Sequence, residues 1–208
     1  NKPESPRQKT TLLKFSLENL RSIMGLAEAM FDYAVQLSIL VGIPLDHIGS
    51  AAAGFRVEWV LIKEAHRRRE LVPERVERPY RPYEGGLVLN PKPGIHENIA
   101  VLDFKSMYPN LMIAKNLSPD TYISPEEMEP RGGVNISPEV GHRFRKEPTG
   151  FYNEVLTNLI NSREEIRKRL KTLESGGTEY HVLDARQKAV KIITNASYGY
   201  AGWLGARW

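Results

Sequence analysis

The chain contains 208 residues and has a formal net charge of +4 and a sequence pI of about 9.2. This length allows one full hydrophobic core or two small ones. Cysteine is absent, which excludes disulfides and thiolate metal sites. No apolar run approaches the roughly 20 residues that a membrane span requires, and no signal-like segment opens the chain. We therefore expect a cytoplasmic protein without a membrane partner.

The first third of the chain is predicted to be helical. Residues 1–11 are polar and interrupted by proline, which predicts a frayed start. Apolar residues then recur at helical spacing over residues 16–41, with Ser16 as a candidate N-cap and Gly42 as the stop signal. A second helix is predicted over residues 55–71.

A mixed body is predicted to follow the proline-rich connection at residues 72–86. Residues 87–89 are predicted to form a short strand. Residues 99–102 are a continuous apolar run, which indicates a buried central strand ending at Asp103. A short helix is predicted after Tyr108.

The last part of the chain is predicted to be a helical hairpin. Residues 116–150 are rich in proline and glycine and are interpreted as loops. Two helices are then predicted over residues 151–174 and 181–200, with Ser175, Gly176 and Gly177 as the turn. Together with the short strands, this hairpin predicts an α+β fold.

Positive charge is concentrated in three clusters along the chain. Clustered cations suit a polyanionic partner, because binding releases the counterions of that partner. Solvated helix faces are the alternative interpretation for each cluster alone. The clusters are His66 to Arg69; Arg75, Arg78 and Arg81; and Arg163, Arg167, Lys168, Arg169 and Lys171.

Asp103 is a candidate ligand for a divalent metal. A carboxylate at the end of a buried strand is held rigidly, and Mg²⁺ prefers such oxygen ligands together with substrate phosphates. The chain must turn into a helix directly afterwards, so the backbone N–H groups of residues 105–107 are candidates to face a phosphate. Tyr108 is followed by proline, and the flat face of its ring is a candidate to lie beside a sugar. In the alternative interpretation, Asp103 caps the helix and Tyr108 belongs to the core.

The second helix of the hairpin carries a polar stripe. Lys188, Lys191, Asn195 and Tyr198 share one face by their spacing, and lysine and asparagine suit a phosphate.

Two further cations lie in the first helix of the hairpin. Arg163 lies within the apolar register of that helix, with Arg167 one turn later, a costly arrangement unless an anion meets them. Pairing with Glu164, Glu165 or Asp184, or simple extension of the side chains to solvent, is the alternative.

At these residues the chain resembles the family B DNA polymerases, and the archaeal replicative type in particular. Residues 103–109 resemble motif A of that family, and residues 191–199 resemble motif B. Residues 83–86 (Tyr-Glu-Gly-Gly) resemble the motif that links its exonuclease and polymerase regions. Residues 116–121 (Asn-Leu-Ser-Pro-Asp-Thr) are also similar to the family. The resemblance extends in the right order from about Phe15 onward.

The resemblance implies roles for individual residues. Asp103 and Lys191 are the implied catalytic residues, and Asp103 binds the metal with help from the carbonyl of Phe104. Tyr108 acts as a steric gate against a ribose 2′-hydroxyl. The implied nucleotide-binding residues are Ser106, Met107, Tyr108, Arg163, Arg167, Lys191, Asn195 and Tyr198, and the implied DNA-binding residues are Tyr83, Gly85 and Gly86.

The resemblance also implies an architecture and partners. Residues 1–71 are a helical remnant, residues 72–150 the first part of a palm with a strand ending at Asp103, and residues 151–208 the fingers hairpin. The implied reaction adds deoxynucleoside triphosphates to primer–template DNA by Mg²⁺-dependent two-metal phosphoryl transfer. A sliding clamp is a further candidate partner.

Two departures from the family pattern shape the functional hypothesis. The Tyr-x-Asp-Thr-Asp signature (motif C) expected after motif B does not occur before Trp208, so we expect a second polypeptide or a missing region to supply the other aspartates and the thumb. Phe15 and Asn19 replace a tyrosine and an aspartate of the third exonuclease motif, so proofreading is not expected. We expect an incomplete polymerase that is inactive alone; the alternative is a catalytically silent DNA-binding or assembly module.

Overall fold

The computed structural model describes residues 6–79 and 85–208. The helices are α1 (Pro6–Val41), α2 (Leu45–Ser50), α3 (Ala53–Arg67), α4 (Met107–Ala114), α5 (Phe151–Leu170) and α6 (Thr178–Ala201). The strands are β1 (Tyr122–Ile123), β2 (Val134–Ile136) and β3 (Arg143–Arg145). This combination confirms the predicted α+β class.

The chain forms two compact units, each built from two separate stretches of sequence. The first unit contains residues 1–52 and 160–192, and the second contains residues 53–159 and 193–208. The unit boundaries therefore fall before α3, within α5 and within α6.

Helix α1 begins earlier than the sequence predicts. It starts at Pro6, because proline is compatible with the first turn of a helix, and the predicted frayed start over residues 1–11 is therefore wrong for its described part. Ser16 lies inside the helix and is not its N-cap. The predicted stop is confirmed, since Gly42 has a φ of 86° and follows the last helical residue.

Most apolar side chains of α1 are exposed, including Phe15, Leu20 and Phe31. By length and composition alone, this helix is apolar enough to cross a membrane, contrary to the expectation that no apolar run approaches that length. The charged Glu28 and Asp32 interrupt the apolar run in the sequence, but the mean hydropathy of the helix stays high enough for a membrane span.

Helix α3 contributes to the core of the second unit. Val57, Val60 and Leu61 are buried on one face of it. The same helix buries Glu58, which is 2% exposed and pairs with Arg75 at 2.6 Å. The backbone N–H of Arg207 donates to the Tyr200 hydroxyl at 3.1 Å. These contacts attach the segment after α3 and the end of the chain to the same core.

The two strands predicted before motif A are wrong for the described chain. Residues 87–89 and 99–102 have no strand structure, and Val101 and Leu102 are 88% and 93% exposed. A strand needs a neighbour to pair its backbone groups, and no described segment pairs with these residues. Asp103 therefore follows an exposed, irregular stretch rather than a buried strand.

A small sheet forms instead where loops were predicted over residues 116–150. Its strand order is β1-β3-β2 and both pairings are antiparallel. Phe144 of β3 faces Tyr122 of β1 and Asn135 of β2 in the register. These strands are only two or three residues long, too short for a periodic pattern to reveal.

The helical hairpin is confirmed. Helix α5 ends at Leu170 and α6 begins at Thr178, and the predicted turn contains Gly176 with a φ of 97°. In α6 the residues buried on the packing face include Ala185, Ala189 and Ile193.

Candidate nucleotide-binding site

The motif A segment makes a sharp turn into α4. Ser106 is the N-cap and has φ 47° and ψ 50°, a left-handed conformation that is uncommon for residues other than glycine. Asn110 fixes this turn, because its Nδ2 donates to the carbonyl of Lys105 at 2.7 Å and its backbone N–H donates to that of Ser106 at 3.0 Å. Strained backbone that is held in this way is concentrated at functional sites.

Asp103 and Phe104 precede this turn and are exposed, Phe104 by 78%. Because Ser106 is the N-cap of α4, Asp103 does not cap the helix. The amides of the first turn of a helix have no acceptor within the helix, and Met107 is the first residue of α4. The turn therefore presents an exposed carboxylate beside the positive end of a helix.

Tyr108 contacts a residue of motif B. Its ring stacks on Tyr198 of α6, with ring centroids 4.2 Å apart and an angle of 13° between the ring planes. Both residues belong to the second unit and both remain partly exposed, Tyr108 by 43% and Tyr198 by 41%. Tyr108 is therefore not a core residue, and motif A meets motif B at this ring pair.

The predicted polar stripe of α6 is exposed. Lys188, Lys191, Asn195 and Tyr198 all lie in the helix and all have exposed side chains. The polar stripe is thus distinct from the buried alanine-rich face, as the spacing predicts. Lys191 belongs to the first unit, whereas Asn195 and Tyr198 belong to the second.

Within the first unit, Arg163 lies beside a short chain of polar contacts. Its Nε donates to Gln187 Oε1 at 3.2 Å, and Gln187 Nε2 donates to Asp184 Oδ1 at 2.9 Å. Asp184 also pairs with Lys188 at 2.6 Å, and hydrogen bonds from Lys188 and then Gln187 lower the pKa of its carboxyl group. Thus a neutral amide, rather than Asp184 itself, contacts Arg163.

The electrostatic environment of Arg163 favours an anion. Burial, followed by the nearby positive charge of Arg167, lowers the pKa of the Arg163 guanidinium. Arg167 itself is exposed. Two adjacent cations that disfavour one another are stabilised when an anion lies between or beside them.

Of the three predicted DNA-binding residues, the structure describes two, Gly85 and Gly86. Tyr83 lies outside the residues that the structure describes. Gly85 and Gly86 are exposed, and a Cβ added to either would meet no heavy atom within 4 Å. Neither glycine is therefore required by close packing within the described chain.

The described residues contain no ready-made metal centre. Across residues 6–79 and 85–208, no group of three or more His, Cys, Asp or Glu side chains could hold a metal ion. Asp103 is therefore not part of such a group.

A buried polar network follows α4, and sequence reasoning did not predict it. Asn116 is 5% exposed; its Nδ2 donates to the carbonyls of Arg145 at 2.7 Å and Pro148 at 2.9 Å. Its Oδ1 accepts from the N–H of Gly150 at 2.9 Å and from Asn153 Nδ2 at 2.6 Å. The signal was the Asn-x-Ser-Pro-Asp-Thr segment, noted only as a family resemblance.

The same segment caps α5. Both carboxylate oxygens of Asp120 accept from the N–H of Phe151, at 3.0 and 3.1 Å, and Ser118 Oγ accepts from the N–H of Tyr152 at 3.1 Å. Ser118 also donates a short hydrogen bond to Asp120. These bonds satisfy amides at the start of the helix and attach α5 to the loop that follows the motif A helix.

Comparisons with known proteins identify the family of this chain. The family model described as DNA polymerase family B matches residues 43–207. The chain is 48% identical to DNA polymerase 2 of Aeropyrum pernix over 205 residues, which is 99% of this chain and 26% of that protein. It is 39% identical to a DNA polymerase of Archaeoglobus fulgidus over 201 residues, covering 97% of this chain and 25% of that protein.

A solved structure gives the same result. The family B DNA polymerase from the hyperthermophilic archaeon Pyrobaculum calidifontis is similar with a TM-score of 0.85 and 50% identity, over 98% of this chain and 27% of that one. The chain therefore spans about a quarter of the length of the relatives it matches. On this sequence and structural similarity, the chain belongs to DNA polymerase family B, of the archaeal type.

Proposed function

We propose that this chain forms the nucleotide-binding part of a DNA-directed DNA polymerase site. The observation that carries the proposal is the contact between Tyr108 and Tyr198, which joins the motif A segment to the part of motif B that lies in the same unit. A structural scaffold would require neither the exposed Asp103 nor the held turn at Ser106.

Each candidate residue has a proposed role in binding. Arg163, Arg167, Lys191 and Asn195 bind the triphosphate, the amides of Ser106 and Met107 face it, and Tyr108 excludes a ribose 2′-hydroxyl. Lys191 is held on an exposed helix face, where a compact ammonium group can approach a phosphate. The electrostatic repulsion between Arg163 and Arg167 supports the same assignment, because a triphosphate would relieve it.

Asp103 and Phe104 are the residues of this chain proposed to bind Mg²⁺. Asp103 is exposed and its carboxylate suits Mg²⁺ as one ligand, and the carbonyl of the next residue in sequence, Phe104, is proposed as a further oxygen ligand. When bound, Mg²⁺ would neutralise charge on the phosphates and stabilise the alkoxide form of the attacking primer hydroxyl. The other carboxylates and the thumb are proposed to come from protein outside residues 1–208 or from a second polypeptide.

The segmentation proposed from the sequence follows from these roles. We assign residues 72–150 to the palm, residues 151–208 to the fingers, and residues 1–71 to a connection from an exonuclease region. The similarity to the Aeropyrum pernix DNA polymerase covers 99% of this chain and therefore includes α1. We propose on this ground that protein rather than lipid covers the apolar surface of α1. We propose primer–template DNA and deoxynucleoside triphosphates as partners, with a sliding clamp as a further candidate.

A hybrid enzyme tests the proposal. This chain replaces the matching quarter of the Aeropyrum pernix polymerase, and primer extension is followed with Mg²⁺ and primed template. We expect extension by the hybrid and a loss of about 10³-fold or more for Asp103→Ala, since the change removes a metal ligand. Asp46→Ala removes an exposed carboxylate of α2 and serves as the matched control.

The outcomes separate the two candidate functions. Full extension by the Asp103→Ala hybrid would refute the site assignment. A catalytically silent assembly module, the alternative function, predicts DNA binding by the hybrid without extension. The substitution of Asn19 for an exonuclease aspartate favours this alternative, because one site has already lost a ligand.

A further inference from the structure

The stacked tyrosines have a consequence for sugar selection. Tyr108 lies in the first turn of α4, where the backbone is held by the left-handed Ser106 and by buried Pro109. Tyr108 itself is 43% exposed. The ring of Tyr198 lies parallel against it at 4.2 Å. The position of the Tyr108 ring therefore depends on a residue of another helix.

The surroundings of Tyr198 increase this dependence. A cavity of about 370 Å³ lies beside Tyr198 and is lined mainly by apolar groups. Its other lining residues include Met112, Phe144, Tyr152 and Trp208. Removing the Tyr198 ring would extend this empty space up to Tyr108. The Tyr108 ring would then have room to move to another rotamer.

We propose that Tyr198 is a positioning residue for sugar specificity, because it holds the Tyr108 ring in the place where that ring excludes a 2′-hydroxyl. This inference rests on the proposed function, in which Tyr108 is the steric gate. Tyr198 itself does not contact the 2′-hydroxyl in this role. Its removal therefore changes the ratio between deoxy- and ribonucleotide incorporation, beyond any loss that the two substrates share.

The hybrid polymerase described above provides the test. kcat/KM is measured for dATP and for ATP with the unchanged hybrid and with Tyr198→Ala, Tyr198→Leu and Tyr198→Phe. We expect Tyr198→Ala to lower the deoxy-to-ribo ratio about 2- to 10-fold, the range to which the energy of one aromatic pair converts. Tyr198→Phe keeps the stacked ring and retains the ratio. Tyr198→Leu keeps apolar volume but no flat face and lowers the ratio.

The Tyr108→Ala variant shows whether Tyr198 acts on the deoxy-to-ribo ratio through Tyr108 or independently of it. In a Tyr108→Ala background, Tyr198→Ala is expected to cause no further change in the ratio, since no gate remains to be held. Tyr180→Ala changes another tyrosine near the start of α6 and is the matched control, with an unchanged ratio. An unchanged ratio for Tyr198→Ala, or additive effects of the two alanine variants, would overturn the inference.

A measurement without catalysis separates this inference from the proposed function. In NMR spectra of the 208-residue chain, the Tyr108 ring protons are expected to lie upfield and to move downfield in Tyr198→Ala, because the ring current of Tyr198 is lost. Tyr108 signals unaffected by Tyr198→Ala would overturn the inference even if the hybrid extends primers. A hybrid that never extends primers while the NMR effect is present would instead refute the proposed function, and the sugar-selection role with it.

Discussion

Replacing Asn116 by alanine should strongly destabilise the second unit. The Asn116 side chain is almost completely buried and makes two good hydrogen bonds as a donor and two as an acceptor. Its backbone φ of 52° lies in the left-handed region, which asparagine tolerates better than alanine. Asn116→Ala therefore removes buried hydrogen bonds and adds backbone strain.

The magnitude follows from these two contributions. Each buried polar group left without a partner costs about 1 to 3 kcal/mol, and Asn116→Ala leaves at least the Gly150 N–H in this state. The left-handed backbone adds about 1 kcal/mol for alanine. Partial relaxation and water entry limit the cost at the remaining carbonyls, so we expect a total loss of about 2 to 4 kcal/mol in the free energy of unfolding.

Urea unfolding followed by tryptophan fluorescence measures this change. All three tryptophans, Trp59, Trp203 and Trp208, lie in the second unit, so fluorescence reports on that unit. For a slope of about 2 kcal/mol per molar urea, the expected loss lowers the midpoint by about 1 to 2 M.

Two controls isolate the contributions. Asn116→Gly removes the same side chain but tolerates the left-handed backbone, so it should be about 1 kcal/mol more stable than Asn116→Ala. Asn135→Ala removes an asparagine with a single exposed hydrogen bond to Lys115 and should cost less than about 1 kcal/mol. If Asn116→Ala shifted the midpoint no more than Asn135→Ala, the proposed role of the network would be wrong.

Three further predictions concern stability. Gly150→Ala would place a Cβ 2.5 Å from the Ser118 Cβ and should lower the stability of the fold by about 2 kcal/mol or more. Gly199→Ala adds a Cβ in open space within α6 and should raise the stability by about 0.5 to 1 kcal/mol. Equal thermal midpoints of the two variants would contradict this contrast. Glu58→Ala removes a buried carboxylate that pairs with Arg75 and Arg207, whose own side chains are partly exposed, and should cost about 1 to 3 kcal/mol in a denaturant titration. A loss below about 0.5 kcal/mol would show that the pair is not needed. Burial raises the pKa of the Tyr152 hydroxyl, so folding keeps it protonated, and stability falls as pH rises above about 10, the pKa in the unfolded chain. Tyr152→Phe should reduce that loss of stability at alkaline pH, measured in a pH series. At pH 7 it should be neutral or stabilising, because the hydroxyl has no hydrogen-bond partner among residues 6–79 and 85–208. A clear destabilisation at pH 7 would contradict this.

The helical parts of the fold were largely predictable from sequence. Periodic apolar residues and Gly176 indicated the α5–α6 hairpin, and the exposed stripe containing Lys191 and Asn195 follows from helix geometry. Such patterns are local, and a helix satisfies its own backbone hydrogen bonds.

The strands were not predictable in the same way. Residues 99–102 have a strand-like composition, but a strand depends on a pairing partner, which is often distant in sequence. β1 to β3 are too short for alternation, and their pairing depends on the loop network around Asn116. The contact between Tyr108 and Tyr198 was likewise invisible, because it joins two motifs that are far apart in sequence.

The central proposal is that Asp103 binds the nucleotide through a metal ion and that Lys191 binds it directly. The most direct test measures the dissociation constant of dATP for the hybrid polymerase on a dideoxy-terminated primer, with Mg²⁺ and with EDTA. We predict that Asp103→Ala weakens binding only when Mg²⁺ is present, whereas Lys191→Ala weakens binding about 10-fold under both conditions. An effect of Asp103→Ala that is the same with and without Mg²⁺, or unchanged binding by Lys191→Ala, would contradict the claim.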